Sequence, residues 1–187
     1  MKIKVGVSNR HVHLTKEDYV ALFCSDVIEV RNPLNQPGEF ASNSTVTIKS
    51  ESGRILENVR ILGPFREYSQ VEVSKTDAIY LKLNPPVRKS GDVGGSAPIT
   101  IIGPKGELNL KEGLIIANRH LHLDNDMARE LGLVDNQVIN VNINTEKKGS
   151  IEVIAKVTKE AYFEIHLDTD DANGFLIENG NEVEAEL

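Results

Sequence analysis

Four of the five histidines in this 187-residue chain lie in two copies of one hexapeptide. The copies, which differ at a single position, are Asn9-Arg10-His11-Val12-His13-Leu14 and Asn118-Arg119-His120-Leu121-His122-Leu123. In a strand, residues i and i+2 point to the same face, so each His-X-His pair can direct two imidazoles at one ion. Neutral imidazole is the commonest metal ligand. The repeated motif therefore predicts metal binding in preference to two pairs of surface histidines.

A transition metal such as Zn²⁺ takes three or four protein ligands, so each pair needs further ligands from elsewhere in the chain. The candidates are His166, which is the remaining histidine, and Glu72. Each lies in a short alternating segment that places it opposite an apolar face. A strand residue that faces solvent is the alternative interpretation, and it is the more common one for an isolated glutamate.

Three arginines have different expected roles. Arg66 follows Gly63-Pro64-Phe65, where its guanidinium can meet a phosphate near the metal; an ordinary surface arginine is the alternative. Arg10 and Arg119 point away from the histidines of their own strands, so we expect them to pair with carboxylates or to pack. The stretch 84–98, rich in Pro, Gly and Ser, is either a linker or a functional loop.

The elements around these residues are predicted to be mainly strands. Two helices stand out, one capped by Thr15 and running through Phe23, the other capped by Asp124 and running through Leu131. Each follows one copy of the hexapeptide. Mainly antiparallel sheets are expected from the turn signals between the strands. The alternating apolar runs that predict strands are 3–7, 46–48, 59–61, 71–73, 99–101, 138–143 and 151–157.

Composition limits the function classes. With no Trp and 5% aromatic residues, the core must be mostly Val, Ile and Leu, which suits β-sheet. A net charge of −7 gives no overall attraction to nucleic acid or to an anionic membrane surface. The single cysteine, Cys24, lies in an apolar stretch that predicts a buried, inert thiol. Without a secretory leader or an apolar run of membrane-spanning length, we expect a cytoplasmic protein.

Several motifs in one order resemble those of the PduL-type phosphotransacylases. The resemblance spans almost the whole chain. The motifs are Val7 to Leu14, Gly63-Pro64-Phe65-Arg66, Gln70 to Asp77, Pro85 to Asp92, Ala117 to His122 and His166 to Asn173.

The resemblance implies a fold that is mainly β, with two β-barrel domains, a few short flanking helices and an internal duplication. Residues 1–9 together with 118–187 would form the first barrel, and residues 10–117 the second. The active site would lie between them. Because the first catalytic strand begins almost at Met1, no extension for microcompartment targeting is seen, and a free cytosolic form is implied.

The implied reaction converts acyl-CoA and phosphate reversibly into acyl phosphate and CoA, with an acetyl or propanoyl group, by direct attack of metal-bound phosphate. Two zinc ions are implied, although other divalent metals suit such ligands. Arg66 would be catalytic and would bind phosphate, and Ser8 and Ser90 would line the substrate site. Lys156 would also bind substrate, but it stands where the family pattern has an arginine, so it lacks the bidentate fork. The implied metal ligands are His11, His13 and Glu72 for one ion and His120, His122 and His166 for the other.

Two other functions use the same ligands. A metal-dependent thioester or ester hydrolase differs only in the nucleophile, which is water. The second is a non-enzymatic β-domain in which the metals only hold the fold together. Its metals would be fully coordinated by protein, with no open coordination position for substrate. The expected partners are small molecules, with no nucleic acid and no membrane. A homo-oligomer is compatible with the sequence.

Overall fold

A computed structural model describes residues 1–184 and divides the chain into two compact units. The terminal unit comprises Met1–Asn9 and Asn118–Leu187, and the central unit comprises Arg10–Ala117. Strands account for 46% of the residues and helices for 15%, and the strands form two closed or nearly closed β-barrel sheets with four short helices. The predicted fold class, mainly β with two β-barrel domains, is confirmed.

The terminal unit contains a six-stranded sheet in the order β11-β12-β10-β13-β1-β14. Two of its pairings are parallel, β1 with β13 and β10 with β12, and the others are antiparallel. The elements are β1 (Lys2–Ser8), β10 (His120–Asp124), α3 (Asn125–Leu131), β11 (Val138–Ile143), β12 (Gly149–Thr158), β13 (Glu164–Asp168), α4 (Thr169–Gly174) and β14 (Glu182–Glu184).

The central unit contains an eight-stranded sheet in the order β3-β4-β5-β2-β6-β9-β7, with β8 pairing β4 and β9. The elements are β2 (His11–His13), α1 (Lys16–Phe23), β3 (Val30–Pro33), β4 (Phe40–Lys49), β5 (Ile55–Gly63), β6 (Gln70–Glu72), α2 (Lys75–Leu81), β7 (Val87–Arg88), β8 (Ala97–Ile102) and β9 (Glu107–Ala117).

The two histidine strands have neighbours that the expected antiparallel pattern does not include. Strand β2 lies between parallel β5 and antiparallel β6, and β10 lies between parallel β12 and antiparallel β13. A parallel neighbour requires a crossover connection. The helix after each hexapeptide begins that connection: α1 is followed by β3 and β4 before the chain reaches β5, and α3 is followed by β11 before it reaches β12.

The two predicted helices are confirmed. The Thr15 side chain accepts a hydrogen bond from the backbone N–H of Asp18 at the start of α1, and Asp124 caps α3, which ends at Gly132. The prediction of a buried Cys24 is wrong, because this residue forms the left-handed C-cap of α1 and is exposed. No helix in residues 1–184 has the length and apolar character needed to cross a membrane.

Each unit has its own aliphatic core, and the histidine strands are anchored in it. Leu121 and Leu123 of β10 are fully buried in the terminal core with Ile165 of β13. Val12 of β2 and Val71 of β6 are fully buried in the central core. Because side chains alternate along a strand, these residues fix the opposite face, which carries the histidines.

The same order of elements occurs twice. A histidine strand is followed by a helix, a hairpin, a strand with a further polar residue, and a second helix, except that β3 is inserted between α1 and β4 in the first copy. The elements β2, α1, β4–β5, β6 and α2 therefore correspond to β10, α3, β11–β12, β13 and α4. The chain passes from one unit to the other at residues 9–10, inside the first hexapeptide, and at residues 117–118, directly before the second. The hairpins β4–β5 and β8–β9, which look alike in sequence, both lie in the central unit.

We predict that Gly63→Ala destabilises the central unit by about 1–3 kcal/mol, because the added methyl would overlap the ring of Phe40, the residue paired with Gly63 across β4 and β5. Gly94→Ala is the control: no heavy atom lies within 4 Å of the position of its added methyl. Urea unfolding measures both free energies. Equal stability of the two variants would contradict the packing described.

Candidate metal centres

The first group consists of His11, His13 and Glu72 in the central unit. Strand β2 presents both histidines on one face, and antiparallel pairing places His11 directly opposite Glu72 on β6. The three residues are buried, with one potential ligand atom from each lying within 4.8 Å of the others. The Nε2 atom of His11 is 3.3 Å from a carboxylate oxygen of Glu72.

The charges in the first group suit a cation. Burial, followed by the neighbouring His11, lowers the pKa of His13 well below 6.5, so this imidazole is neutral at pH 7. Burial opposes ionisation of Glu72, but the charge and hydrogen bond of His11 lower the pKa of that carboxyl well below 4.5. The buried Nδ1 atom of His13 has no hydrogen-bond partner within residues 1–184. Neutral imidazole and ionised carboxylate are the forms that bind divalent metals, and His13 and Glu72 are in these forms.

The second group consists of His120, His122 and His166 in the terminal unit. Antiparallel pairing places His120 of β10 opposite His166 of β13, the register that joins His11 to Glu72. One potential ligand atom from each of the three histidines lies within 4.8 Å of the others. The Nε2 atoms of His120 and His122 are 3.0 Å apart. Burial, then the neighbouring histidines, lowers the pKa of His122 to about 2.

A backbone contact orients one imidazole of the second group. The Nδ1 atom of His120 lies 2.9 Å from the carbonyl oxygen of Asn118. A carbonyl only accepts hydrogen bonds, so Nδ1 carries the proton in this contact and the Nε2 lone pair faces His122. Outer contacts of this kind fix the orientation of metal-binding histidines in proteins.

Two predicted substrate residues lie in the terminal unit. Lys156 of β12 pairs with His122 across the parallel β10–β12 ladder, and its charge contributes to the low pKa of His122. Ser8 ends β1 and pairs with Asp168, two positions beyond His166. The structure therefore places Lys156 beside the second group and Ser8 at the adjoining strand end.

Arg66 and Ser90 lie beside the first group. The Arg66 guanidinium donates to Ser90 Oγ at 3.0 Å and to Glu39 Oε1 at 3.1 Å. Its charge also lowers the pKa of His13. The side-chain amide of Gln70 donates to Glu72 at 2.6 Å and to Ser90 at 3.0 Å. Ser90 and Gln70 thus connect the Arg66 guanidinium to the Glu72 carboxylate of the first group.

The segment around Ser90 is part of this network. The backbone N–H of Gly91 donates to the side-chain oxygen of Gln70 at 2.7 Å. Of the two interpretations of residues 84–98, the functional loop agrees with these contacts better than the solvated linker.

Sequence reasoning missed three polar residues at these groups. Gln70 pairs with His13 and Glu164 pairs with His122, so the two occupy equivalent positions, each two residues before Glu72 or His166. Glu164 is buried, and its carboxylate is 2.8 Å from Nε2 of His166. Strand alternation places Gln70 and Glu164 on the same faces as Glu72 and His166. No local sequence pattern indicates that Glu39 contacts Arg66. 

Both groups fit a divalent ion of the zinc class. One offers two imidazoles and a carboxylate, the other three imidazoles, which are the nitrogen and oxygen donors that Zn²⁺ binds. Co, Ni, Mn and Fe ions accept the same donors. Three protein ligands leave a position for water or substrate, as in catalytic zinc sites. The arrangement can therefore polarise a bound oxygen group beside a guanidinium.

Known proteins are similar in sequence to this chain over nearly its full length. The family model for phosphate propanoyltransferase matches residues 4–178. A phosphate propanoyltransferase of Shewanella putrefaciens is 42% identical over 183 residues, covering 97% of this chain and 86% of the relative. Those of Thermotoga maritima and Priestia megaterium are 44% and 45% identical, covering 96% of this chain and 86% and 83% of the relatives. The chain belongs to the phosphate propanoyltransferase family, which agrees with the resemblance to PduL-type phosphotransacylases.

Proposed function

We propose that this protein is a metal-dependent phosphate acyltransferase, which interconverts acyl-CoA plus phosphate with acyl phosphate plus CoA. The acyl group is acetyl or propanoyl. The observation that carries the proposal is the hydrogen-bonded link from Arg66 through Ser90 and Gln70 to Glu72 of the first group. This link supports the proposal because a guanidinium, which suits phosphate, is connected to donors that suit a divalent metal, in a member of this family.

We assign one metal to each group, zinc being the first choice. His11, His13 and Glu72 would hold one ion, and His120, His122 and His166 the other. When bound, these ions would supply Lewis-acid chemistry, offsetting the negative charge of phosphate and polarising the acyl oxygen.

Arg66 is the residue that binds and orients phosphate. Its planar fork can donate two parallel hydrogen bonds to phosphate oxygens. In the structure one terminal nitrogen already donates to Ser90 and the other to Glu39. Each of these nitrogens keeps a second N–H that can donate to phosphate, but the Glu39 carboxylate competes with phosphate for the charge of the guanidinium. Ser90, Ser8 and Lys156 are assigned to the substrate site, where lysine acts as a single point charge.

The reaction needs no covalent enzyme intermediate. A phosphate oxygen attacks the thioester carbonyl carbon, the C–S bond breaks, and the proton of hydrogen phosphate ends on the CoA thiol. Arg66 stays in contact with phosphate throughout and stabilises the negative charge that develops during attack. All five histidines belong to the two groups, so none is left for a serine or cysteine nucleophile.

The first test is phosphate dependence. Protein of known metal content is mixed with acetyl-CoA or propanoyl-CoA, and free thiol is measured with and without phosphate, together with acyl phosphate by its reaction with hydroxylamine. We expect thiol release only with phosphate, in equal amount to acyl phosphate. Thiol release that is independent of phosphate would establish a hydrolase, and no release with any acyl-CoA would favour a structural role for the metals.

A pair of variants tests the phosphate contact in opposite directions. Arg66→Lys should raise KM for phosphate and lower kcat/KM about 100-fold, because the bidentate fork is lost at a group that stabilises the transition state. Glu39→Gln should lower KM for phosphate about 2- to 5-fold, because a competing partly exposed ion pair is removed. Steady-state kinetics with varied phosphate measures both.

Arg54→Lys is the matched control, since Arg54 lies over the ring of Tyr80 with its guanidinium carbon 5.1 Å from the ring centroid. It should leave both constants unchanged. An unchanged phosphate KM in Arg66→Lys, or a raised one in Glu39→Gln, would contradict the assigned phosphate site.

A further inference from the structure

The arginine of each hexapeptide pairs with an aspartate on a neighbouring helix. Arg10 binds Asp77 with two contacts, Nε to Oδ2 at 2.9 Å and Nη2 to Oδ1 at 2.8 Å. Arg119 Nε donates to Asp171 Oδ2 at 2.8 Å. Both arginines therefore pair with carboxylates, as the alternation of their strands predicts.

The two aspartates occupy equivalent positions. Asp77 lies in the first turn of α2, whose N-cap is Ser74, and its backbone N–H donates to that side chain. Asp171 lies in the first turn of α4, whose N-cap is Asp168, with the same contact. In each unit the helix directly follows the strand that carries Glu72 or His166. The ligand type differs between the units, whereas the Arg–Asp pair is the same.

Each Arg–Asp pair links the start of a histidine strand to the helix that follows the strand with the third ligand. Strands β2 and β6 have three residues each and pair at three positions, and β10 and β13 also pair at three positions. A slip of one residue would turn the ligands to the opposite face, and a slip of two would move them by about 7 Å. Ligands must be held within about 0.5 Å for metal binding. A three-position ladder needs additional fixation to meet that requirement.

We propose that Arg10–Asp77 and Arg119–Asp171 are positioning pairs, each of which fixes the register between a His-X-His strand and the strand of the third ligand, and so controls metal binding in its own group. This inference rests on the proposed metal function. The charged contacts lie where each histidine strand begins, so they hold the strand end at which His11 or His120 faces Glu72 or His166.

The pair in the central unit should have the larger effect. There the two strands have little other support, because β2 pairs with β5 and β6 with β9 at two positions each. In the terminal unit β10 pairs with β12 and β13 with β1 at five positions each. The Asp77 side chain is also less exposed than that of Asp171, 8% against 20%. Removing the Asp77 carboxylate therefore leaves Arg10 with less access to water than removing that of Asp171 leaves Arg119.

The test uses proteins that retain one group each. His120→Gln leaves only the first group intact, and His11→Gln only the second. Arg10→Lys and Asp77→Asn are introduced into both backgrounds, as are Arg119→Lys and Asp171→Asn. Zinc retained against a series of chelator concentrations gives the affinity of the remaining group. Arg129→Lys is the control, because Arg129 and Asp126 form an exposed ion pair on α3 at 3.1 Å.

We expect changes at Arg10 or Asp77 to weaken zinc binding about 10- to 100-fold in the first group and to leave the second unchanged. Changes at Arg119 or Asp171 should weaken zinc binding in the second group by a smaller factor and leave zinc binding in the first group unchanged. Thermal unfolding of the metal-free proteins shows whether each variant folds; if an asparagine variant does not, the lysine variant, which keeps the charge, provides the result.

The outcomes separate the two claims. Parent proteins with one intact group that bind no zinc would contradict the proposed function itself. Parents that bind zinc, with Arg-Asp variants that bind it equally well, would overturn the positioning role alone. Equal weakening of both groups by one variant would also overturn it, since that result indicates general destabilisation.

Discussion

The two groups depend on one constraint, the register between short antiparallel strands. Imidazoles two residues apart share a face only because the strand is extended, and the third donor joins them only because its strand is aligned residue for residue. His11 opposite Glu72 and His120 opposite His166 are the same alignment in two different units. The aliphatic residues on the other face, such as Val12 and Leu121, hold each strand to its core and prevent rotation of the face.

The duplication preserves positions and changes chemistry. The third donor is a carboxylate in the central unit and an imidazole in the terminal unit, and the residue two positions earlier changes with it. Gln70 provides an N–H to the Glu72 carboxylate, whereas Glu164 provides an acceptor to His166. Because donor and acceptor are exchanged together, Glu72 and His166 each have a hydrogen-bond partner two residues earlier on the same strand. The first group also has Arg66 and Ser90 beside it, and the second has Lys156.

Much of this arrangement could be predicted from the sequence, because it rests on local patterns. Alternation indicated the faces of both histidine pairs, and capping residues indicated α1 and α3. The assignment of Glu72 to one group and His166 to the other came from the resemblance to a family, since pairing between distant strands has no local signal. The Glu39–Arg66 contact has none either.

Local patterns also indicate two further helix starts and two further polar residues beside the ligands. Ser74 and Asp168 have capping side chains like Thr15 and Asp124, and they begin α2 and α4. Gln70 and Glu164 lie on the same faces as the ligands. The prediction for Cys24 is wrong because its apolar neighbours indicate burial, while the end of α1 turns this residue outward.

Each group is proposed to hold its own metal ion. Elemental analysis of purified protein, after removal of loosely bound ions, measures the number of ions per chain in the unchanged protein, Glu72→Gln and His122→Gln. We expect two ions per chain in the unchanged protein and one in each variant, with both variants folded. A single ion, no ion, or two ions retained in both variants would contradict it.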